Sequence, residues 1–196
     1  IYSGDSNVVI GISDNGIDQF HPDLRDNIAI NKKEIANNSI DDDNNGFIDD
    51  YNGFNLDGAY AGQLWGNTYV DDDHGTLAAG IAGADFNNGI GVAGIGGKSK
   101  IFPIKIGTED LDSQYTAFGY ESILFAARVG LKVLSCSWGT EAIYSELEQM
   151  IINYAVANDV AIVAAGGNLY KQEQVTKFYP AGYKGVLGVG VVSPFD

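Results

Sequence analysis

The segment Asn7-Val8-Val9-Ile10-Gly11-Ile12-Ser13-Asp14-Asn15-Gly16 (residues 7–16) contains the pattern that decides the fold. Its apolar residues predict a buried strand over 7–12, and the Asp-Asn-Gly sequence that follows predicts a loop. A nearly continuous apolar strand is typical of a parallel sheet that is covered on both faces. Functional groups collect at the carboxyl ends of such strands, so Asp14 is a candidate functional residue. Taken alone, Asp14 could equally be a turn former.

Strand-like and helix-like segments alternate along the rest of the chain. The sequence predicts further strands at 101–106, 131–136, 160–165 and 186–192, and helices at 76–84, 115–129 and 142–157. Residues 25–73 form an Asn-, Asp- and Gly-rich connection that is much longer than usual, which indicates a functional segment. The alternation predicts an α/β fold in one domain over residues 1–196, with a parallel sheet and helices on both of its faces.

The composition describes an acidic globular chain. It has 196 residues, a formal net charge of −15 and 45% hydrophobic residues, which suits one domain with a substantial core. Nucleic acid is excluded as a partner because basic clusters are absent. No apolar run reaches the ~18–20 residues that span a bilayer, so no membrane insertion is expected. The single cysteine, Cys136, lies in an apolar run and is interpreted as a buried residue rather than a nucleophile.

Acidic residues are concentrated between positions 34 and 97, where there is no Lys or Arg. Such a run is either disordered or neutralised by cations, and its aromatic residues argue against disorder. Residues 41–49 match the opening positions of an EF-hand-like loop, with Gly46 at the turn. We therefore predict a Ca²⁺ site formed by Asp41, Asp43, Asn45, Asp49 and the carbonyl of Phe47. Asn52 stands where the closing glutamate is usual, so a series of plain turns remains the alternative.

Two more segments place polar residues at the ends of predicted elements. His74 opens a helix of small residues, and Asn168 follows the strand predicted at 160–165. With Asp14 they supply an orienting carboxylate, a proton-transferring imidazole and an amide donor, which acyl transfer requires. Each has a structural alternative when taken alone, since His74 could be a residue at a helix rim. No serine stands where a nucleophile is expected.

In chain order, these segments resemble the subtilisin-like serine proteases. Residues 9–24 resemble the aspartate motif of that family, 74–80 its histidine motif, 91–105 the segment after it, 133–139 the substrate-binding strand, 164–168 the oxyanion segment and 179–192 the approach to the nucleophile. The resemblance implies that Asp14 orients His74, which acts as general base and then acid. It implies that the Asn168 amide binds the oxyanion. It also implies that Ser137, Trp138 and Gly139 pair with an extended polypeptide substrate.

The resemblance also implies a second calcium site and a second substrate pocket. The calcium ligands would be the side chains of Asp23 and Asn88 and the carbonyls of Phe86, Ile90 and Val92. Residues 110–113 would border the pocket. The chain departs from the family at Asn15, where Ser or Thr is usual, at Asp73, where Gly is common, and at Gly167, where Ala is frequent.

The serine segment of the family would follow Val192, but only residues 193–196 remain there, and Ser193 lies too close to the last strand to be the nucleophile. We therefore expect a serine endopeptidase domain that is truncated at both ends relative to the family and inactive alone. A downstream segment or a second chain would carry the serine. The alternative is a catalytically inactive, calcium-stabilised binding or scaffolding module of the same fold. The resemblance implies an extracellular or cell-surface location.

Overall fold

The computed structural model describes residues 4–61, 73–107, 116–168 and 177–192. Residues 110–113, which were predicted to border a second substrate pocket, and Ser193 lie outside these ranges.

A six-stranded parallel sheet forms the centre of the described chain. The described residues contain eight strands, of which six belong to this sheet: β1 (Val9–Asp14), β2 (Phe54–Asn55), β3 (Lys100–Lys105), β4 (Val133–Cys136), β5 (Thr140–Glu141), β6 (Ala161–Ala165), β7 (Phe178–Tyr179) and β8 (Val186–Val189). The sheet has the order β2-β3-β1-β4-β6-β8, and each of its pairings is parallel. β5 and β7 form a separate antiparallel pair. Because β1 is an interior strand, its last residue, Asp14, lies near the middle of the carboxyl edge of the sheet.

The helices cover both faces of the sheet, as predicted. They are α1 (Leu56–Ala61), α2 (His74–Gly83), α3 (Gly119–Val129) and α4 (Glu146–Ala157), and a single 3-10 turn spans Arg25–Asn27. α3 and α4 pack over the larger hydrophobic cluster, which includes Leu134 and the buried Cys136, whereas α2 packs over a smaller cluster that includes Ile12 and Ile101. Among the described segments, none of the helices combines the length and hydrophobicity needed to cross a bilayer.

Two predicted helices begin later than expected, and local capping fixes the start of the first and the end of the second. The helix predicted at 142–157 begins at Glu146, since the side chain of Ser145 accepts a hydrogen bond from the backbone N–H of Glu148. The helix predicted at 115–129 begins at Gly119 and ends before Gly130, whose φ of 77° is left-handed. Apolar periodicity located both helices, but it carried no information about these caps.

The sheet is covered unequally on the α2 side. α2 packs on β1 and β3, whereas β8 on the same side exposes 64% of Leu187 and 50% of Val189. These two residues pair in register with Val163 and Ala165 of β6, so they share one face. The described structure thus has an apolar strip along β6 and β8 that is open to solvent, which we call the open strip.

Truncation of the larger core should destabilise the fold strongly. Leu134 is fully buried between β4 and the overlying helices, and removing its side chain leaves a cavity. We expect Leu134→Ala to lower the free energy of unfolding by about 2–5 kcal/mol in urea denaturation. The matched control is Leu147→Ala on α4, whose side chain is 68% exposed and whose loss should cost less than about 0.5 kcal/mol. Equal losses for the two variants would contradict the packing described.

Candidate active site

A carboxylate and an imidazole meet where β1 ends and α2 begins. The Nδ1 atom of His74 lies 2.8 Å from Oδ1 of Asp14. The Asp14 carboxylate is buried, and the backbone N–H of Asn15 also donates to its Oδ1 at 2.9 Å. The His74 side chain, in contrast, is 58% exposed. The buried acid therefore holds one edge of an imidazole that is more than half exposed to solvent.

The loop after β1 anchors the first turn of α2 and thereby places His74. The side-chain oxygen of Asn15 accepts a hydrogen bond from the backbone N–H of Gly75 at 3.0 Å. Asp73, at the N-cap position, makes no side-chain cap bond, so Asn15 supplies the missing acceptor from another element. Gly75 must be glycine, because a Cβ there would collide with the carbonyl oxygen of Gly16. Asn15, a departure from the family pattern, therefore has a structural role that no local pattern indicates.

Thr76 ties the same turn to the loop in the opposite sense. Its hydroxyl oxygen accepts a hydrogen bond from the backbone N–H of Asp18 at 3.0 Å. Asn15 and Thr76 together hold the loop and the helix in one relative position. The backbone around Asp14 and His74 is therefore fixed so that their side chains are in contact.

Asp14 and His74 line a cleft of about 420 Å³ at the carboxyl edge of the sheet. The lining includes all six residues predicted for catalysis and substrate binding, namely Asp14, His74, Ser137, Trp138, Gly139 and Asn168. It also includes Asn15, Ala165 and Gly167, which the sequence analysis had named only as members of motifs, and Thr116 and Phe178, which sequence reasoning missed. Phe178 belongs to the short strand β7, which no sequence pattern had marked as part of a site.

A directed hydrogen-bond chain fixes the wall of the cleft at Trp138. The indole N–H of Trp138 donates to Oγ of Ser13 at 2.9 Å, and Oγ of Ser13 lies 2.7 Å from Oγ of Ser122. Because Ser122 donates its own proton to the carbonyl of Gly119 at 2.6 Å, Ser13 is the donor to Ser122. These hydrogen bonds connect residues 137–139, which follow β4, to β1 and α3.

Asn168 also lines the cleft, just after β6. Gly167 precedes it with a φ of 91°, a left-handed conformation that favours glycine. The N–H of Gly166 donates to the carbonyl of Val189 at 2.7 Å, which ties this turn to β8. Asn168 is exposed at the cleft and offers an amide that can donate to a ligand there.

The acidic loop gathers carboxylates, but its set differs from the one the sequence predicted. Carboxylate oxygens of Glu34, Asp41 and Asp43 lie within 4.8 Å of one another. Of the predicted ligands, Asp41 and Asp43 belong to this group. The Asp49 carboxylate accepts hydrogen bonds from the backbone of Asn38 and Ser39 at 3.1 and 2.9 Å and is not in the cluster.

Sequence reasoning missed Glu34 because it lies outside the EF-hand-like spacing. Glu34 is buried, and its carboxylate accepts the backbone N–H groups of Asp43 and Asp49 at 3.1 Å each. The predicted ligands Asn45 and Phe47 bond to each other, since the Phe47 N–H donates to the Asn45 side chain at 2.8 Å. Only the folded loop brings Glu34 to the aspartates.

Burial and mutual repulsion raise the pKa of two carboxyl groups in this loop. Burial raises the pKa of Glu34, and the negative charge of Asp43 adds to the effect. Burial raises the pKa of Asp50 to about 6, although amides of Asn31 and Asn45 donate to it at 2.8 and 3.0 Å. The folded loop thus concentrates negative charge beyond what its own donors neutralise.

The second predicted calcium site is compact. The buried Asp23 accepts the side-chain N–H of Asn88 at 2.7 Å and the backbone N–H of Val92 at 2.8 Å. The Asn88 bond, followed by the Val92 bond, lowers the pKa of Asp23. Asn88 also accepts the N–H of Ile90 at 3.0 Å. Phe86, whose carbonyl was predicted as a ligand, lies in the same loop over residues 86–92.

Comparison with known proteins places this chain in a family. A sequence model described as the subtilase family matches residues 5–194. The chain belongs to the subtilase family. This subtilase chain is 29% identical to the thermophilic serine proteinase of Bacillus sp. strain AK1, over 100% of the chain and 41% of that protein. It is 31% identical to the major intracellular serine protease of Bacillus subtilis strain 168, over 95% of the chain and 51% of that protein.

Solved structures confirm the subtilisin-like α/β fold. A protease from Pseudoalteromonas arctica superposes with a TM-score of 0.69 at 22% identity, covering 95% of this chain and 56% of that one. The epidermin leader peptide processing serine protease of Staphylococcus aureus gives 0.66 at 19% identity, covering 92% and 45%. The subtilase chain therefore spans about half the length of the proteins it matches.

The capping contact of Asn15 gives a stability prediction. Asn15→Ala removes the acceptor for the Gly75 N–H and should cost about 1 kcal/mol in the free energy of unfolding. Asn15→Ser keeps a side-chain oxygen and should cost less. Urea denaturation of both variants measures the difference. Equal costs for Ala and Ser would mean that Asn15 does not cap α2.

Proposed function

We propose that this chain is part of a serine endopeptidase in which Asp14 and His74 are the acid–base pair of a catalytic triad. The observation that carries the proposal is the 2.8 Å contact between Nδ1 of His74 and the buried Asp14 carboxylate, at the edge of a cleft. Membership of the subtilase family supports it. The proposed domain is a single unit over residues 1–196.

In the proposed reaction, the Asp14 carboxylate accepts a hydrogen bond from the Nδ1–H of His74 and so fixes the tautomer whose Nε2 is free to act as a base. His74 takes a proton from a serine hydroxyl and later gives it to the leaving amine, while Asp14 stabilises the imidazolium. The amide of Asn168 donates to the oxyanion of the tetrahedral intermediate. An extended polypeptide substrate pairs with the backbone of Ser137–Gly139, which leaves the sheet at the end of β4.

We place the nucleophilic serine outside these 196 residues, on a downstream segment or a second chain. Two observations support this. The relatives are about twice as long as the matched region, and the open strip exposes Leu187 and Val189 beside the cleft-forming turn at Gly166. Ser137 lines the cleft, but in the proposed arrangement its backbone belongs to the substrate-binding wall.

Labelling with a fluorophosphonate probe tests where the nucleophile lies. We expect no labelling of this chain alone and efficient labelling when the serine-bearing segment is present. His74→Ala should abolish that labelling, since the serine loses its base, whereas the control Ser137→Ala should retain it.

Labelling of the isolated chain at any serine would contradict the proposed location of the nucleophile. Sequencing the reading frame past Asp196 gives an independent check. A non-nucleophilic residue in the position of the serine would contradict the endopeptidase proposal and support the alternative, an inactive, calcium-stabilised module.

We further propose that Ca²⁺ stabilises the fold at the acidic loop. Glu34, Asp41 and Asp43 fit the ion, because it prefers several carboxylate oxygens that converge on one point. Asp23 and Asn88, with carbonyls of the 86–92 loop, form the second proposed site. The ion would supply neutralising charge to the loop and takes no part in the proposed proton transfers. An extracellular or cell-surface location, where calcium is abundant, belongs to the same proposal.

Calcium titration followed by thermal unfolding tests the acidic-loop site. The ion should raise the melting temperature, with about 2.7 kcal/mol of stabilisation at a hundredfold excess over Kd. Asp41→Asn should reduce that gain because it removes a charged ligand. Asp26→Asn, an exposed aspartate outside the loop, is the matched control and should leave the gain unchanged. Equal melting temperatures in calcium and in chelator would rule out the ion.

A further inference from the structure

A lysine is fully buried at the carboxyl edge of the sheet, close to the candidate active site. Lys105 is the last residue of β3, and only 1% of it is exposed. Lysine is almost never fully buried unless its charge is compensated. Neither the sequence motifs nor the proposed proton transfers account for this residue.

The strand register places Lys105 directly beside Asp14. The two residues are paired neighbours on the adjacent parallel strands β3 and β1, and such strands lie about 4.8 Å apart. Paired residues of parallel strands project to the same face of a sheet. Both side chains therefore lie on one face at the same level.

That face is the one covered by α2. Ile12 of β1 and Ile101 of β3 belong to the hydrophobic cluster beneath α2. Side chains alternate along a strand, so Asp14, two residues after Ile12, faces α2 as well. Lys105, four residues after Ile101, does the same. His74 is the first residue of α2, so the ammonium-bearing residue, the carboxylate and the imidazole share one side of the sheet.

Within the part of the chain that the structure describes, other polar and charged residues lie near this row. On the other side of Lys105, β2 presents Asn55, which is neutral and whose side chain accepts the N–H of Gly58 at 3.0 Å. Asp57 lies in α1, which packs against β3, and the exposed Asp73 precedes His74. Cys136 faces the opposite side of the sheet, and burial raises the pKa of its thiol. Asp14 is the carboxylate in register with Lys105.

We propose that Lys105 is a positioning residue for the Asp14–His74 pair, and that its buried ammonium electrostatically holds Asp14 ionised. Two groups this deeply buried interact with little screening by solvent or salt. A cation beside Asp14 also repels a positive charge on the neighbouring imidazole of His74. This inference rests on the role proposed for the pair, but it concerns the charges of the chain alone.

NMR titration of His74 in the isolated chain tests the coupling without a nucleophile or substrate. Lys105→Met keeps the length and packing of the side chain but removes the charge, and should move the His74 titration midpoint upward by about one pH unit. Lys105→Arg should keep the midpoint near that of the unaltered chain. The matched control is Lys100→Met at the other end of β3, where the ammonium donates to the Asp26 carbonyl at 2.7 Å, and it should cause no shift.

A purely structural lysine would give a different result. If Lys105 only filled space, Lys105→Met would leave the His74 midpoint unchanged, and the proposal would be overturned. If Lys105→Met does not fold, the proposal is tested by titrating the Lys105 side chain in the unaltered chain and in the Asp14→Asn variant. Asp14→Asn should then move the Lys105 midpoint to lower pH and leave that of Lys100 in place; an unmoved Lys105 midpoint overturns the proposal. A failure of fluorophosphonate labelling would leave these titrations intact, so the two proposals fail separately.

Discussion

The contact between Asp14 and His74 is the constraint on which the arrangement of the site depends. It joins the end of an interior strand to the first residue of a helix on one face of the sheet. A hydrogen bond of 2.8 Å tolerates little displacement, so the loop between the two elements must hold them in register. Asn15 caps the helix, Thr76 accepts a loop amide, and Gly75 permits the close approach. The chemistry is thus positioned by backbone geometry rather than by flexible side chains.

The negative charge of buried carboxylates is compensated differently at the two proposed calcium sites. Asp23 is satisfied by an amide side chain and a backbone N–H, which lower its pKa. In the acidic loop, burial and neighbouring charge raise the pKa of Glu34 and Asp50 despite several donors. The difference is one of number, because the loop collects more carboxylates than its amides can compensate. This excess of negative charge is the basis for the calcium site proposed in this loop.

The two faces of the sheet are completed to different degrees within the described residues. α3 and α4 bury one face under a continuous core, whereas α2 covers only the strands nearest to it and leaves the open strip exposed. Apolar surface on a sheet face is normally buried against another element. The open strip begins where the turn before Asn168 is tied to β8, so whatever covers it also borders the cleft.

The sequence by itself determined the parallel sheet and the chain order of its longer strands and helices, because apolar runs are local patterns. Short motifs likewise singled out Asp14, His74 and Asn168 as candidates, and all three line the cleft. Only the tertiary structure decided that Glu34 joins Asp41 and Asp43, that Asn15 caps α2, and that Phe178 lines the cleft. The burial of Lys105 beside Asp14 was decided in the same way. The physical reason is that these contacts join residues distant in the chain, and strand register and packing, not local spacing, bring them together.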